Sequence, residues 1–317
     1  MKRKNILMVI LLIALSLNTA ACSTTKVDEG EKDEIIAYTS VYPIYDFTKK
    51  IAGDRIKVEL LVPPGAEPHG WEPSAKVIAK LEQSQVFLYN GLELDPWAER
   101  IAASLSKENL ISIAVAEIDT IQPMTFNEEE QHGEEEYEKE HNHGSYDPHV
   151  WLDPIIAEEM ARAIKDTFIE IDGKNSDYYE ENFNNLKQEL QDLDRDYKEA
   201  LSQVEKKDFI VSHAAFGYMA NRYGLNQIAI LGLAPQAEPS PAKLVELTSL
   251  VGEYDMHTIF YEQLSSPKAA DVLANETGVK VEVLNPIGGL TQEEMDRGED
   301  YISIMRENLE KLVQGLQ

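Results

Sequence analysis

Among the residues able to do chemistry in this 317-residue chain, the seven histidines stand out, and their settings differ. His69 lies in Pro63-Pro64-Gly65-Ala66-Glu67-Pro68-His69-Gly70-Trp71-Glu72-Pro73-Ser74, after a stretch that reads as a strand. His149 lies in Asp147-Pro148-His149-Val150-Trp151-Leu152-Asp153-Pro154, just ahead of a helix. His213 follows the strand Phe209-Ile210-Val211, within Ser212-His213-Ala214-Ala215-Phe216-Gly217-Tyr218. In an open parallel α/β sheet, ligands bind beyond the carboxyl ends of the strands. His69 and His213 are placed there. Each alone reads equally well as a structural histidine, but two at strand ends and a third between Asp and Pro point to one shared site. His257, beside Met256 at the start of a strand, reads as structural.

The other three, His132, His141 and His143, sit in a different object. The run Glu128 to His143 holds eight Glu and these three His. Such a composition buries no core, so the run reads as a solvated insertion. Imidazole beside carboxylate also collects cations loosely, and the run ends six residues before His149.

The elements that must position these residues alternate between short β-rich runs and helices. Strands are expected at 35–38, 56–62 and 86–89, with helices at 44–51, 74–81 and 97–105. A second series has strands at 209–211, 227–231, 258–261 and 279–284, with helices through 223 and over 242–251, 268–277 and 301–316. Strand–helix alternation predicts parallel sheets covered by helices. Between the two series, Tyr179, Phe183, Leu186, Leu190, Leu193, Tyr197, Leu201 and Val204 step by threes and fours, one apolar stripe along a helix. From about 176 to 206 that helix would run ~45 Å, long enough to link two lobes. The alternative reading of the stripe is a coiled-coil surface.

Composition narrows the function further. The chain is 43% hydrophobic and 27% charged, an ordinary globular mixture. Its net charge of −28 repels phosphate backbones, which excludes nucleic acid as a partner and favours cations. The single cysteine, Cys22, rules out an intrachain disulfide and a cysteine-based zinc knuckle. Met1-Lys2-Arg3-Lys4, the apolar run from Ile6 to Leu17, and Thr19-Ala20-Ala21 before Cys22 have the layout of a secretion signal ending in a lipobox. Residues 1–21 are therefore expected to be a signal peptide, Cys22 the lipidated residue, and residues 22–34 a flexible tether.

Taken together, these segments resemble the metal-binding solute-binding lipoproteins of bacterial ABC transporters, in the branch that handles zinc and manganese. The matching motifs are Pro68-His69 with Trp71-Glu72-Pro73-Ser74, Asn90-Gly91 with Asp95-Pro96-Trp97, Asp147 to Pro154, Ser212-His213 with Ala215-Phe216-Gly217-Tyr218, Tyr223-Gly224-Leu225, Glu238-Pro239-Ser240 and Leu284-Asn285-Pro286. They run in order through nearly the whole chain after Cys22. The resemblance implies an α/β fold of two lobes, each with a mostly parallel sheet flanked by helices, joined by one long rigid linker helix. Residues 35–172 would form the N-terminal lobe with its His/Glu-rich loop at 127–145, residues 173–206 the linker, and residues 207–317 the C-terminal lobe. It implies that His69 and His149 from the first lobe and His213 from the second hold one metal ion. It further implies a monomer, lipid-anchored on the outer face of the plasma membrane, that passes zinc to a membrane permease and its ATPase.

Three imidazoles suit Zn²⁺, whereas oxygen-rich sites suit Mn²⁺, so zinc is the expected cargo and manganese the alternative. A surface adhesin is a second alternative. No His-Glu-x-x-His, Gly-x-Ser-x-Gly or phosphate-binding glycine loop occurs, so no enzyme is expected. Many relatives place a carboxylate shortly after the Leu-Asn segment, where this chain has Gly288. The fourth zinc position is then open to water, to His141 or His143, or to Glu262, and Gly288→Glu is expected to tighten binding.

Overall fold

Each strand of the first series is four residues long, mostly apolar except for Lys57-Val58-Glu59-Leu60, where charged and apolar residues alternate. In the computed structural model, which describes residues 34–105, 110–126, 145–233, 240–265 and 268–317, β1 (Ile36–Thr39), β2 (Lys57–Leu60), β3 (Val86–Tyr89) and β4 (Ile111–Ala114) pair in parallel in the order β2-β1-β3-β4. The signal peptide, Cys22, the tether up to residue 33, the Glu128–His143 run and Glu238-Pro239 lie outside the described residues. Strand β4, half-buried at the sheet's edge, was not anticipated, although residues 110–116 are apolar at every position but Ser112.

The crossovers are helices α1 (Tyr42–Ala52), α2 (Ala75–Leu81) and α3 (Pro96–Ser104). Several helices begin at a proline. Pro96, Pro154 and Pro241 occupy the first helical turn, where the missing N–H would have had no intrahelical partner. A two-stranded antiparallel ribbon, β5 (Thr125–Phe126) and β6 (Ser145–Tyr146), brackets the acidic run in sequence. It leads into helix α4 (Pro154–Ile171), whose first N–H groups are accepted by the Asp153 carboxylate.

Helix α5 spans Ser176–Ser202, four residues shorter than expected at its C-terminal end. Its stripe is buried from Tyr179 to Leu201, and Val204 is buried beyond the helix end. The second series then builds β7 (Asp208–His213), α6 (Gly217–Tyr223), β8 (Asn226–Leu231), α7 (Pro241–Glu253), β9 (Thr258–Tyr261), α8 (Lys268–Thr277) and β10 (Lys280–Val283). Its sheet is again parallel, in the order β10-β9-β7-β8. Helices α9 (Gln292–Asp296) and α10 (Tyr301–Gly315) close the chain, each opened by a capping box.

The two sheets share a core. One continuous apolar cluster runs from Phe47 and Phe87 in the first sheet's layers, through Trp151 and the α5 stripe, to Phe209, Phe260 and Leu312. A smaller cluster, including Ile210, Leu247, Ile259 and Leu273, covers the other face of the second sheet. Direct bonds also cross between the two halves. Tyr42 N–H donates to Gly288 O at 3.3 Å and Gly65 N–H to Leu290 O at 2.8 Å. The Trp151 indole donates to Pro286 O at 2.7 Å, and Tyr301 returns a hydroxyl bond to Trp151 O at 2.5 Å. Lys50 on α1 pairs with Asp300, the cap of α10, at 2.7 Å.

The stripe of α5 thus does the packing for both halves. Leu190 and Leu193 are fully buried, and truncating a buried leucine typically costs about 2–5 kcal/mol. Leu190→Ala should lower unfolding free energy by that amount in urea titration, in one transition reported alike by fluorescence and circular dichroism. Two separated transitions would show that the halves do not share their core.

Candidate metal centre

His213 is the last residue of β7, which runs two residues past the expected end at Val211. In the second sheet β7 is flanked by β8 on one side and β9 on the other, so the chain reverses its direction of winding between β7 and β9. Pairing of Ile210 with Ile259 and Val211 with Phe260 carries His213 up against Glu262, the residue after β9. The Glu262 carboxylate accepts from His213 Nδ1 and, at 2.7 Å, from the Ser212 hydroxyl.

His149 comes from the ribbon side. Asp147 Oδ1 accepts both the His149 backbone N–H at 2.9 Å and its ring Nδ1–H at 2.8 Å, a local turn that sets backbone and ring together. Asn90 at the end of β3 donates to Pro148 O at 3.0 Å and is itself held by Asp95, which accepts its N–H at 2.9 Å. His69 sits on a single 3₁₀ turn, Pro68–Gly70, whose N–H groups at His69 and Gly70 both donate to the Glu67 carboxylate at 3.1 Å.

These three elements bring the histidines face to face. His69 Nε2 lies 3.1 Å from His149 Nε2, and His213 Nε2 lies 3.3 Å from the same atom. All three ligand nitrogens lie within 4.8 Å of one another, and they form a group of possible metal ligands among the described residues. His149 and His213 are buried, and His69 is partly exposed at the mouth. A neutral imidazole has one N–H. Where Nδ1–H is committed to Asp147 or Glu262, each Nε2 faces inward as a lone pair. Acceptors pointed at one another at such distances need an electron-poor centre between them. With Zn–N near 2.0–2.1 Å, two nitrogens on a tetrahedral zinc stand roughly 3.3 Å apart. The donor set therefore fits a zinc ion.

Burial, reinforced by the neighbouring His149 and His213, drives the His69 ring down to about 2. His149 is held well below the usual histidine range, first by burial and then by His213. Burial pushes the Asp147 carboxyl up to about 7 against the opposing bond from the His149 N–H.

The Glu262 carboxylate lies behind the His213 ring, where it sets which nitrogen faces the cleft. Asp147 plays the same part for His149. Its position two residues before a histidine was visible in the sequence, but only the turn shows the carboxylate folding back. His141 and His143 lie outside the described residues. His257 is exposed, its ring 3.7 Å from the Asp255 carboxylate, and belongs to the surface. At Gly288 the space is tight: a Cβ there would meet Pro68 Cγ at 2.9 Å, so a side chain needs the Pro68 ring to shift.

Comparison with known proteins follows this geometry. The family model described as zinc-uptake complex component A, periplasmic, matches residues 37–315. The zinc-binding lipoprotein AdcA of Streptococcus pneumoniae is 39% identical over 299 residues, covering 94% of this chain but 58% of AdcA, so the chain spans less than two thirds of that relative. The high-affinity zinc uptake system protein ZnuA of Bacillus subtilis is 39% identical over 306 residues, covering 96% of this chain and 95% of the relative. The crystal structure of the Zn(II)-bound ZnuA-like domain of Streptococcus pneumoniae AdcA superposes with a TM-score of 0.75 at 37% identity, over 89% of this chain and 99% of that domain.

Two measurements test the site's physics. His69 and His149 stay neutral in the fold where an unfolded histidine, with its ordinary value of 6.5, takes a proton. Below that pH the unfolded chain binds more protons, so each ring lowers metal-free stability by up to about 1.4 kcal/mol per pH unit as pH falls. Thermal melts of metal-free protein between pH 7 and 5 should fall more steeply for the parent than for His69→Gln. Separately, Gly288→Ala adds only the clashing Cβ. It should weaken zinc binding in isothermal titration, and Gly288→Glu, which adds a carboxylate beyond the same Cβ, should bind more tightly than Gly288→Ala.

Proposed function

Since the chain belongs to the zinc-uptake complex component A family, we propose that it captures Zn²⁺ outside the cytoplasm and delivers it to an ABC permease and its ATPase. Zinc is the cargo, held by His69, His149 and His213, with water in the fourth position. Residues 35–172 and 207–317 act as the two lobes and 173–206 as the linker. Lipid on Cys22 anchors a monomer to the outer face of the membrane. Among the described residues no helix is long and apolar enough to cross a membrane.

The observation that supports this reading best is the convergence of three Nε2 atoms whose partner nitrogens, in two rings, are bonded to buried carboxylates. Three converging imidazole nitrogens favour zinc over manganese. The relatives' names speak of zinc binding and zinc uptake, in accord with it.

Isothermal titration of metal-free protein, repeated with manganese in competition, tests the reading. One tight zinc per chain is expected, outcompeting manganese and lost by at least about 10-fold in affinity in His213→Ala. The same titration on a chain lacking residues 128–143 should retain the tight zinc and lose only weaker equivalents. Unchanged affinity in His213→Ala would remove that residue from the ligand set, and loss of the tight zinc in the deletion would put a histidine of the acidic run in it.

A further inference from the structure

The ribbon next to His149 contains a departure from ordinary strand pairing. Thr125 faces Tyr146 and Phe126 faces Ser145, so Met124 and Asp147 are the next opposed pair. In an antiparallel ladder, a hydrogen-bonded pair exchanges two backbone bonds. One is made directly, from Asp147 N–H to Met124 O at 2.9 Å. The other is not. Met124 N–H donates instead to the hydroxyl of Tyr218 at 2.8 Å, and that hydroxyl donates to Asp147 O at 3.0 Å. A side-chain oxygen from another part of the fold has been inserted into the ladder as its last rung.

The place of this rung ties it to the metal site. Tyr218 lies on α6, five residues after His213, on the connection that leaves β7. Asp147 is the residue whose carboxylate orients both the backbone and the ring of His149. One buried hydroxyl therefore joins the segment bearing His213 to the segment bearing His149. The site needs that joint, because the Nε2 atoms of these two histidines must stand 3.3 Å apart though they come from different halves of the fold. With the rung closed directly, Asp147 would move toward Met124 and draw His149 with it.

We propose that Tyr218 is a positioning residue for the cargo metal: its hydroxyl, standing in for a backbone rung between Met124 and Asp147, fixes the spacing of His149 against His213. This rests on the zinc reading above. Tyr218 touches no metal and acts through Asp147.

The test compares Tyr218→Phe with Tyr197→Phe in the full chain. Tyr197 offers a matched control, since its buried hydroxyl donates to Met305 O at 2.6 Å and plays no part in the ligand loops. Zinc affinity is read by chelator competition, site geometry by the visible absorption of the Co²⁺-loaded protein, and fold by melting temperature. Both variants should melt lower. Only Tyr218→Phe should bind zinc about 10-fold more weakly and show an altered Co²⁺ spectrum. If it does not fold, Met124→Pro removes the N–H from the same bridge with the ring kept in place, and the same change is expected. A Tyr218→Phe protein, or in its stead Met124→Pro, with parental affinity and spectrum, or with changes matched by Tyr197→Phe, overturns the proposal and leaves the zinc reading standing. A parent that binds neither Zn²⁺ nor Co²⁺ tightly overturns both.

Discussion

Imidazole nitrogens that face one another across a buried cleft, two of them with the ring proton turned away to a carboxylate, are the constraint around which this protein is arranged. Such an arrangement is unfavourable by itself, because it removes lone pairs from water without giving them donors. It persists only where the backbone fixes each ring. The parts of the chain that reach the cleft do this by different means: a strand end for His213, a carboxylate-folded turn for His149, and a capped 3₁₀ turn for His69. At His149 and His213 a carboxylate behind the ring takes Nδ1, so that Nε2 points inward, whereas at His69 the carboxylate caps the backbone of the turn.

The separation of the ligands between two sheets makes the joint between the sheets part of the site. That joint is dense. The core passes through it without a break, α5 lies along both halves, and backbone or side-chain bonds cross at Gly65, Tyr42, Trp151 and Lys50. Several of these lie within a few residues of a ligand or of the Pro286–Leu290 segment that lines the cleft. Large hinge motion between the halves would break them together.

Much of this was legible beforehand, for reasons that differ by element. The α5 stripe was readable because one helix buries a single face along its whole length. The parallel sheets were readable because strand and helix alternate, and the meeting of the histidines because two follow strands, where parallel sheets bind, and the third lies between Asp and Pro. Strand β4 escaped although the apolar stretch 110–116 carries its signal. The roles of Asp147, Glu262, Asn90 and Tyr218 escaped because they depend on which residue lies behind which ring. That is set by register between strands far apart in sequence, such as the pairing that brings Glu262 to His213. The crowding at Gly288 escaped for the same reason: the sequence displays the missing side chain but not the Pro68 ring beside it.

The Pro68 ring against Gly288 also constrains how such a site changes over generations. The two positions lie 220 residues apart in the chain yet share one small volume. An acidic residue acquired at 288 has to share that volume with the proline, and the proline belongs to the turn that carries His69. A substitution near one end of the chain is therefore felt at a ligand near the other, and its effect on the site depends on how far the turn at 68 can give.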